Sequence, residues 1–252
     1  MPLPDKYIPA RPNDAVPGSV FCQQNMNNSI IAREQNILNE FLNGNIPDFL
    51  RKLASIKITS KDDYIVYSVL PDYLSIGSDT DYVRMPMNPL TAQKIADKYD
   101  CTLPTKKMVD DIWQQSVNKV APLPWGPPYD ASMMSTNRYL VHNSRIQKQL
   151  ENKDYSASTS GQKKDVIITN KIAPNNPQKR VAIYGWIQLD GKPIQVYPTA
   201  HEDTYADYSH GIRLIANDVV VNGMPMRIQD VFKDPKLSYL LNDDGPLNFL
   251  RY

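Results

Sequence analysis

Residues 201–211 read HEDTYADYSHG, which sets two of the chain's three histidines, His201 and His210, among three carboxylates, two tyrosines and a serine. Histidine titrates near neutral pH and serves as base, acid or metal ligand, so crowding it with carboxylates and phenols is what proton transfer requires. In an acid–base reading His210 is the general base or acid, Asp207 orients its ring, and Tyr205 or Tyr208 donates to a developing negative charge. Arg213, on the same side of an extended backbone as Gly211, could hold a substrate carboxylate or phosphate. Ser209 would point away from His210 in that geometry and is not chosen as a nucleophile. In a metal reading, His201, Glu202, Asp203, Asp207 and His210 offer ligands for a divalent cation. Their spacing matches no HExxH or HxH pattern, so the presence of a metal stays open.

Residues 209–214, SHGIRL, resemble the Ser-His-Gly-Cys-Ile/Val-Arg-Leu signature of the L,D-transpeptidases, and NGMPMRI at 222–228 resembles that family's closing strand. Here Gly211 runs directly into Ile212, so the family's catalytic cysteine is missing. The resemblance implies a β-rich arrangement over residues 165–230 and carries no activity with it.

Other residues admit a chemical and a structural reading. Cys22 is expected just before a helix, where the dipole lowers a thiol pKa; paired with His210 it would make a cysteine hydrolase, while a buried structural thiol is the commoner case. Asp79 and Asp81, with Arg84 nearby in GSDTDYVRMPMNP, read as turn residues ahead of a cation site. Lys163 and Lys164 in GQKKD read as solvated loop lysines ahead of oxyanion stabilisers. His142 reads as a packing residue on a helix, and Trp125 and Tyr129 as loop anchors or the lining of a sugar or peptide groove.

The elements that must carry these groups follow from pattern. Five prolines in residues 1–18 predict an extended arm. Apolar residues from Ile30 to Leu42 recur at helical spacing, with Arg33 and Glu34 assigned to the polar face and Asn43-Gly44 as the stop. Further helices are expected over 47–53, 91–99, 105–117, with Thr105 as N-cap, and 133–151. Strands are expected within 54–76, and then at 166–169, 181–189, 193–196, 212–216 and 218–221, with Asp190-Gly191 and Asn222-Gly223 as hairpin turns. Short helical segments close the chain around 228–232 and 237–241.

This yields an α+β fold: a helix-rich N-terminal part packed on strands, and a mainly antiparallel β C-terminal part. The division expected is an arm at 1–18, a mixed region at 19–152 and a β-rich region at 153–252, the last two separate or forming one compact body. The polar stretch 152–164 is expected as an exposed linker, and 197–213 as a site loop too polar for the core.

Composition bounds function. With 28 basic and 27 acidic residues in 252, no nucleic-acid partner is expected. No apolar run reaches the roughly 20 residues of a membrane-spanning helix, so a soluble protein is expected, cytoplasmic or the mature form of an exported one. With no phosphate-cradling glycine loop or dinucleotide fingerprint, the expected function is hydrolysis or group transfer on a polar substrate, small or polymeric, such as a cell-envelope peptide or glycan. The competing expectation is a non-catalytic structural or interaction protein whose 201–213 loop meets a protein partner.

Overall fold

The computed structural model describes residues 8–172, 179–196 and 199–252. Residues 1–7 of the expected arm and 197–198 of the expected site loop therefore lie outside the described residues. Helices α1 (Gly18–Gln24) and α2 (Ile30–Leu42) lead to the hairpin β1 (Ala54–Ser60) and β2 (Asp63–Val69), then β3 (Ser75–Gly77) and β4 (Tyr82–Arg84). Next come α3 (Pro89–Lys98), β5 (Cys101–Thr102), α4 (Lys106–Gln115), β6 (Asn118–Lys119) and α5 (Thr136–Leu150). The remainder is β7 (Thr159–Ser160), β8 (Lys164–Ile167), β9 (Ala182–Ile187), β10 (Pro193–Gln195), β11 (His210–Gly211), β12 (Ile215–Val221), β13 (Met224–Arg227) and α6 (Ile228–Lys233).

Two sheets organise the α+β fold. The larger runs β1-β2-β12-β13, with β5 beside β12; the smaller runs β10-β9-β8-β11. Pairing is mostly antiparallel, with β8 and β11 running parallel. Because β2 pairs with β12, the larger sheet takes strands from both sides of residue 152. Among the described residues, no helix is long and apolar enough to cross a membrane.

Local chemistry explains the element ends. Ser29, Asn88, Thr105 and Ser135 each accept a hydrogen bond from a backbone N–H in the first turn of α2, α3, α4 and α5, satisfying donors that a helix start leaves free. Asn222 and Gly223 both have positive φ, 51° and 83°, as the two-residue turn between β12 and β13 requires.

Three expectations are corrected. First, α2 buries Arg33, Glu34, Ile37 and Phe41 and leaves Ile31 83% exposed, so the polar pair is turned inward. Partners make this tolerable: Arg33 donates to Thr136 Oγ1 and Tyr139 OH, both at 3.2 Å, and Glu34 accepts from the Asn88 N–H at 3.2 Å. Secondly, the end of the expected linker is interior. Thr159 and Ser160 form β7, and Gln162 and Lys163, just ahead of β8, are fully buried. Thirdly, the segment expected as an exposed loop at 197–213 is largely core from residue 206 onward. Asp207, Tyr208, Ser209, His210, Ile212 and Arg213 are all buried.

Candidate functional site

The site is built where β11 lies beside β8. His210 pairs with Lys164, and the Lys164 N–H donates to the Ser209 carbonyl at 2.8 Å. This register brings the 201–211 segment against the 161–165 segment, a juxtaposition that two short polar stretches some forty positions apart do not announce. Gly161 has φ of +105°, and its Cα approaches the carbonyls of Val120 and Ile187 so closely that a Cβ would sit 2.5 and 3.0 Å from them. Glycine is needed there to turn the chain inward before Lys163.

Asp207 is the electrostatic centre. One oxygen accepts from the Ser209 N–H at 2.7 Å and the Ser209 hydroxyl at 2.5 Å, and the other accepts from the Tyr205 hydroxyl at 3.1 Å. The Lys164 ammonium lies 3.7 Å away. Burial by itself would raise this carboxyl, but the nearby His210 and Lys164 and the two Ser209 hydrogen bonds outweigh it and hold the group well below the usual carboxylate range. Ser209 thus spends its hydroxyl on Asp207, consistent with its being passed over as a nucleophile.

His201, Tyr205 and His210 form a graded stack. The ring of exposed His201 lies flat on half-buried Tyr205 at 4.0 Å, and Tyr205 meets fully buried His210 edge-on at 5.5 Å. Neither ring nitrogen of His210 has a hydrogen-bond partner. Burial pushes this imidazole down to about 4, against the pull of Asp207, so it is neutral at physiological pH. Four of the five candidate site residues, His201, Tyr205, Asp207 and His210, are therefore brought together.

Arg213 is not among them. Its guanidinium donates to the carbonyls of Leu70 and Thr159 at 2.9 and 2.7 Å, covers the face of Tyr73 at 4.2 Å, and stands 3.9 Å from Asp165. That arrangement ties the chain after β11 to the larger sheet and to β7. Tyr208, the alternative to Tyr205, also points elsewhere, edge-on to His142 at 4.9 Å and to Trp125 at 5.7 Å. Its hydroxyl accepts from the Trp125 N–H at 2.7 Å, which anchors the proline-rich loop to the interior.

Lys163 is the group that sequence reasoning passed over. It is not solvated: its ammonium donates to the Tyr208 carbonyl at 2.6 Å, and burial, with Arg84 adding to it, brings it down to about 7. The only sequence signal was the glycine two residues earlier. Beneath it, Asp72 receives Arg84 through Nε at 2.9 Å and Nη2 at 2.5 Å, and Gln162 at 2.9 Å. Arg84 is thus a buried ion-pair residue, while Asp81 caps α1 through the Ser19 N–H at 2.9 Å and Asp79 accepts from the Phe49 N–H at 3.2 Å. His142, expected as a packing residue, is buried with both nitrogens unpartnered, and burial holds it well below its ordinary value.

Cys22 lies inside α1 and not before a helix. Burial, reinforced by Asp81, pushes its thiol up to about 12, so no dipole activates it. Cys22 and Cys101 are both free. Among the described residues, no group of three or more His, Cys, Asp or Glu is placed to hold a metal ion. Two cavities among the described residues, of about 530 and 290 Å³, take in none of His201, Tyr205, Asp207 or His210.

No known protein family, curated protein or solved structure matches this chain.

Proposed function

We propose that the chain is a hydrolase or group-transfer enzyme acting on a polar substrate, such as a cell-envelope peptide or glycan. His210 is its proton-transfer group. The observation that carries this reading is a wholly buried, neutral imidazole with both nitrogens unpartnered, beside a carboxylate held ionised. His142 also leaves both nitrogens unpartnered, so what singles out His210 is the ionised carboxylate of Asp207 and the Tyr205 ring beside it. Asp207 supplies the charge that stabilises His210 once it takes a proton, and Tyr205, edge-on to the His210 ring, donates to a developing oxyanion by exchanging the hydrogen bond it gives Asp207. His201, stacked on Tyr205, forms the outer layer, so a substrate reaches His210 when that stack opens. Arg213 acts at a distance by holding the chain after β11 in place.

The alternative, a contact surface formed by residues 201–213, is the weaker reading. Burial of Asp207, Tyr208, Ser209, His210 and Arg213 leaves little of the segment to meet a partner.

The test is a panel of chromogenic esters, glycosides and muropeptides incubated with the wild type, His210→Gln and Tyr205→Phe. The expected result is turnover on one class, lowered by about 10²–10⁴-fold in His210→Gln with the melting temperature little changed. Full activity in His210→Gln, or no turnover of any class by the wild type, overturns the proposal.

A further inference from the structure

The cavity of about 530 Å³ lies away from His210, between the C-terminal segment, the start of α3, the end of α6 and the chain around residue 180. Its size falls within the range of small-molecule sites, roughly 300–1,000 Å³. The apolar part of its lining is Leu90, Ile172, Phe249, Leu250 and Tyr252. This wall is fixed before any ligand arrives. Phe249 and Tyr252 meet edge-to-face at 5.1 Å, and the Tyr252 hydroxyl donates to the Ile167 carbonyl at 2.6 Å while accepting from the Ala182 N–H at 3.0 Å. The Tyr252 N–H donates to Gln93 in α3 at 3.2 Å.

The rest of the lining is strongly one-sided in charge. Lys171, Lys179, Arg180, Lys233 and Arg251 face a single carboxylate, Asp203. Arg251 is already engaged by Asp97 at 2.6 Å, and Arg180 donates to the Ala200 carbonyl at 2.7 Å. Lys179 and Lys233 are in no ion pair among the described residues, and both side chains are exposed. In a chain whose formal net charge is only +1, this concentration is local. Cations beside low-dielectric apolar walls raise the local concentration of anions and favour those that also bury an apolar body.

We infer that this cavity binds a small amphipathic anion, an acyl or aryl chain ending in a phosphate or carboxylate, with the chain against Ile172, Phe249 and Tyr252 and the head between Lys179 and Lys233. A neutral lipid would leave both ammonium groups without a partner. Thr199 and Asp203 line the cavity on either side of His201, so one stretch of chain borders both places. The inference stands independently of catalysis because it rests on the composition of the cavity.

The experiment is calorimetric titration of the full chain with octyl phosphate below its micelle-forming concentration, with octanol and inorganic phosphate in parallel. One-site saturation by octyl phosphate is expected, at least about ten-fold tighter than by either part alone, weakening as salt is raised. Lys179→Glu with Lys233→Glu, both on exposed side chains, should weaken it by more than about ten-fold, while Lys179→Met with Lys233→Met should lower affinity and remove most of the salt dependence. His210→Gln should bind like the wild type, which separates failure here from failure of the catalytic proposal. Absence of saturation, equal affinity for octanol, unchanged affinity in the Glu double variant, or binding seen only to anionic vesicles and not to the monomeric probe would overturn the inference.

Discussion

The ammonium of Lys163, a wholly buried residue, donates to the main-chain carbonyl of Tyr208 at 2.6 Å. A lysine from a stretch that reads as linker thereby supports the backbone one residue before Ser209 and two before His210. The bond fixes the segment that carries the candidate site, and it does so with a cation removed from water.

That burial has a pH signature. In the folded chain Lys163 is brought down to about 7 from 10.5, so across that interval the unfolded chain binds a proton that the folded chain lacks. Its contribution to stability therefore rises with pH from about 7 towards 10.5, and the cost of burying the charge is greatest below 7. Lys163→Met removes this dependence. Urea unfolding of both proteins near pH 6 and pH 9 should show the variant gaining on the wild type at the lower pH; a constant difference would mean that Lys163 does not titrate in this window.

His210 gives the opposite end of the curve. Its folded value of about 4 lies below the ordinary 6.5, so stability is lost as pH falls below about 6.5 and the imidazole is forced to charge. His210→Leu, which sacrifices no hydrogen bond because neither nitrogen makes one, should flatten the acid limb of a melting-temperature profile. An acid limb of unchanged slope would sink this account.

Arg84 and Asp72 form an ion pair with essentially no solvent exposure, and Asn143 and Gln162 complete its hydrogen bonds. Removing one partner strands the other charge, so Arg84→Ala should destabilise by about 3–5 kcal/mol. The double variant Arg84→Met, Asp72→Leu should recover much of that loss, because no charge is then left unpaired. Denaturant midpoints measured at fixed slope decide both.

Gly211 is held by contact and not by an unusual φ. A Cβ there would lie 2.5 Å from Tyr73 Cδ1 and 2.7 Å from the Lys163 Cβ. Gly211→Ala should cost about 1–3 kcal/mol through overpacking, and should displace the neighbouring His210. A variant that melts with the wild type would show that Tyr73 can retreat.

The sequence by itself determined the elements whose causes are local. Ser29 and Thr105 cap their helices by hydrogen bonds within one turn, and Asn222-Gly223 turns β12 into β13 because both residues accept positive φ. The sequence also marked the 201–211 segment, since residue types and their crowding can be read without coordinates. Only the tertiary structure decided which polar groups are interior. Arg33 and Glu34 on α2, Lys163 in the supposed linker, and Arg84 in a turn-like stretch are each buried because a partner distant in sequence receives them: Tyr139 and Thr136, Asn88, Tyr208, and Asp72. A charged residue looks solvent-facing to any local rule, since burial without a partner is costly and the partner is not in the window. For the same reason the parallel pairing of His210 with Lys164 was out of reach. It depends on two short strands meeting across some forty positions, and that meeting is a property of the packed sheet.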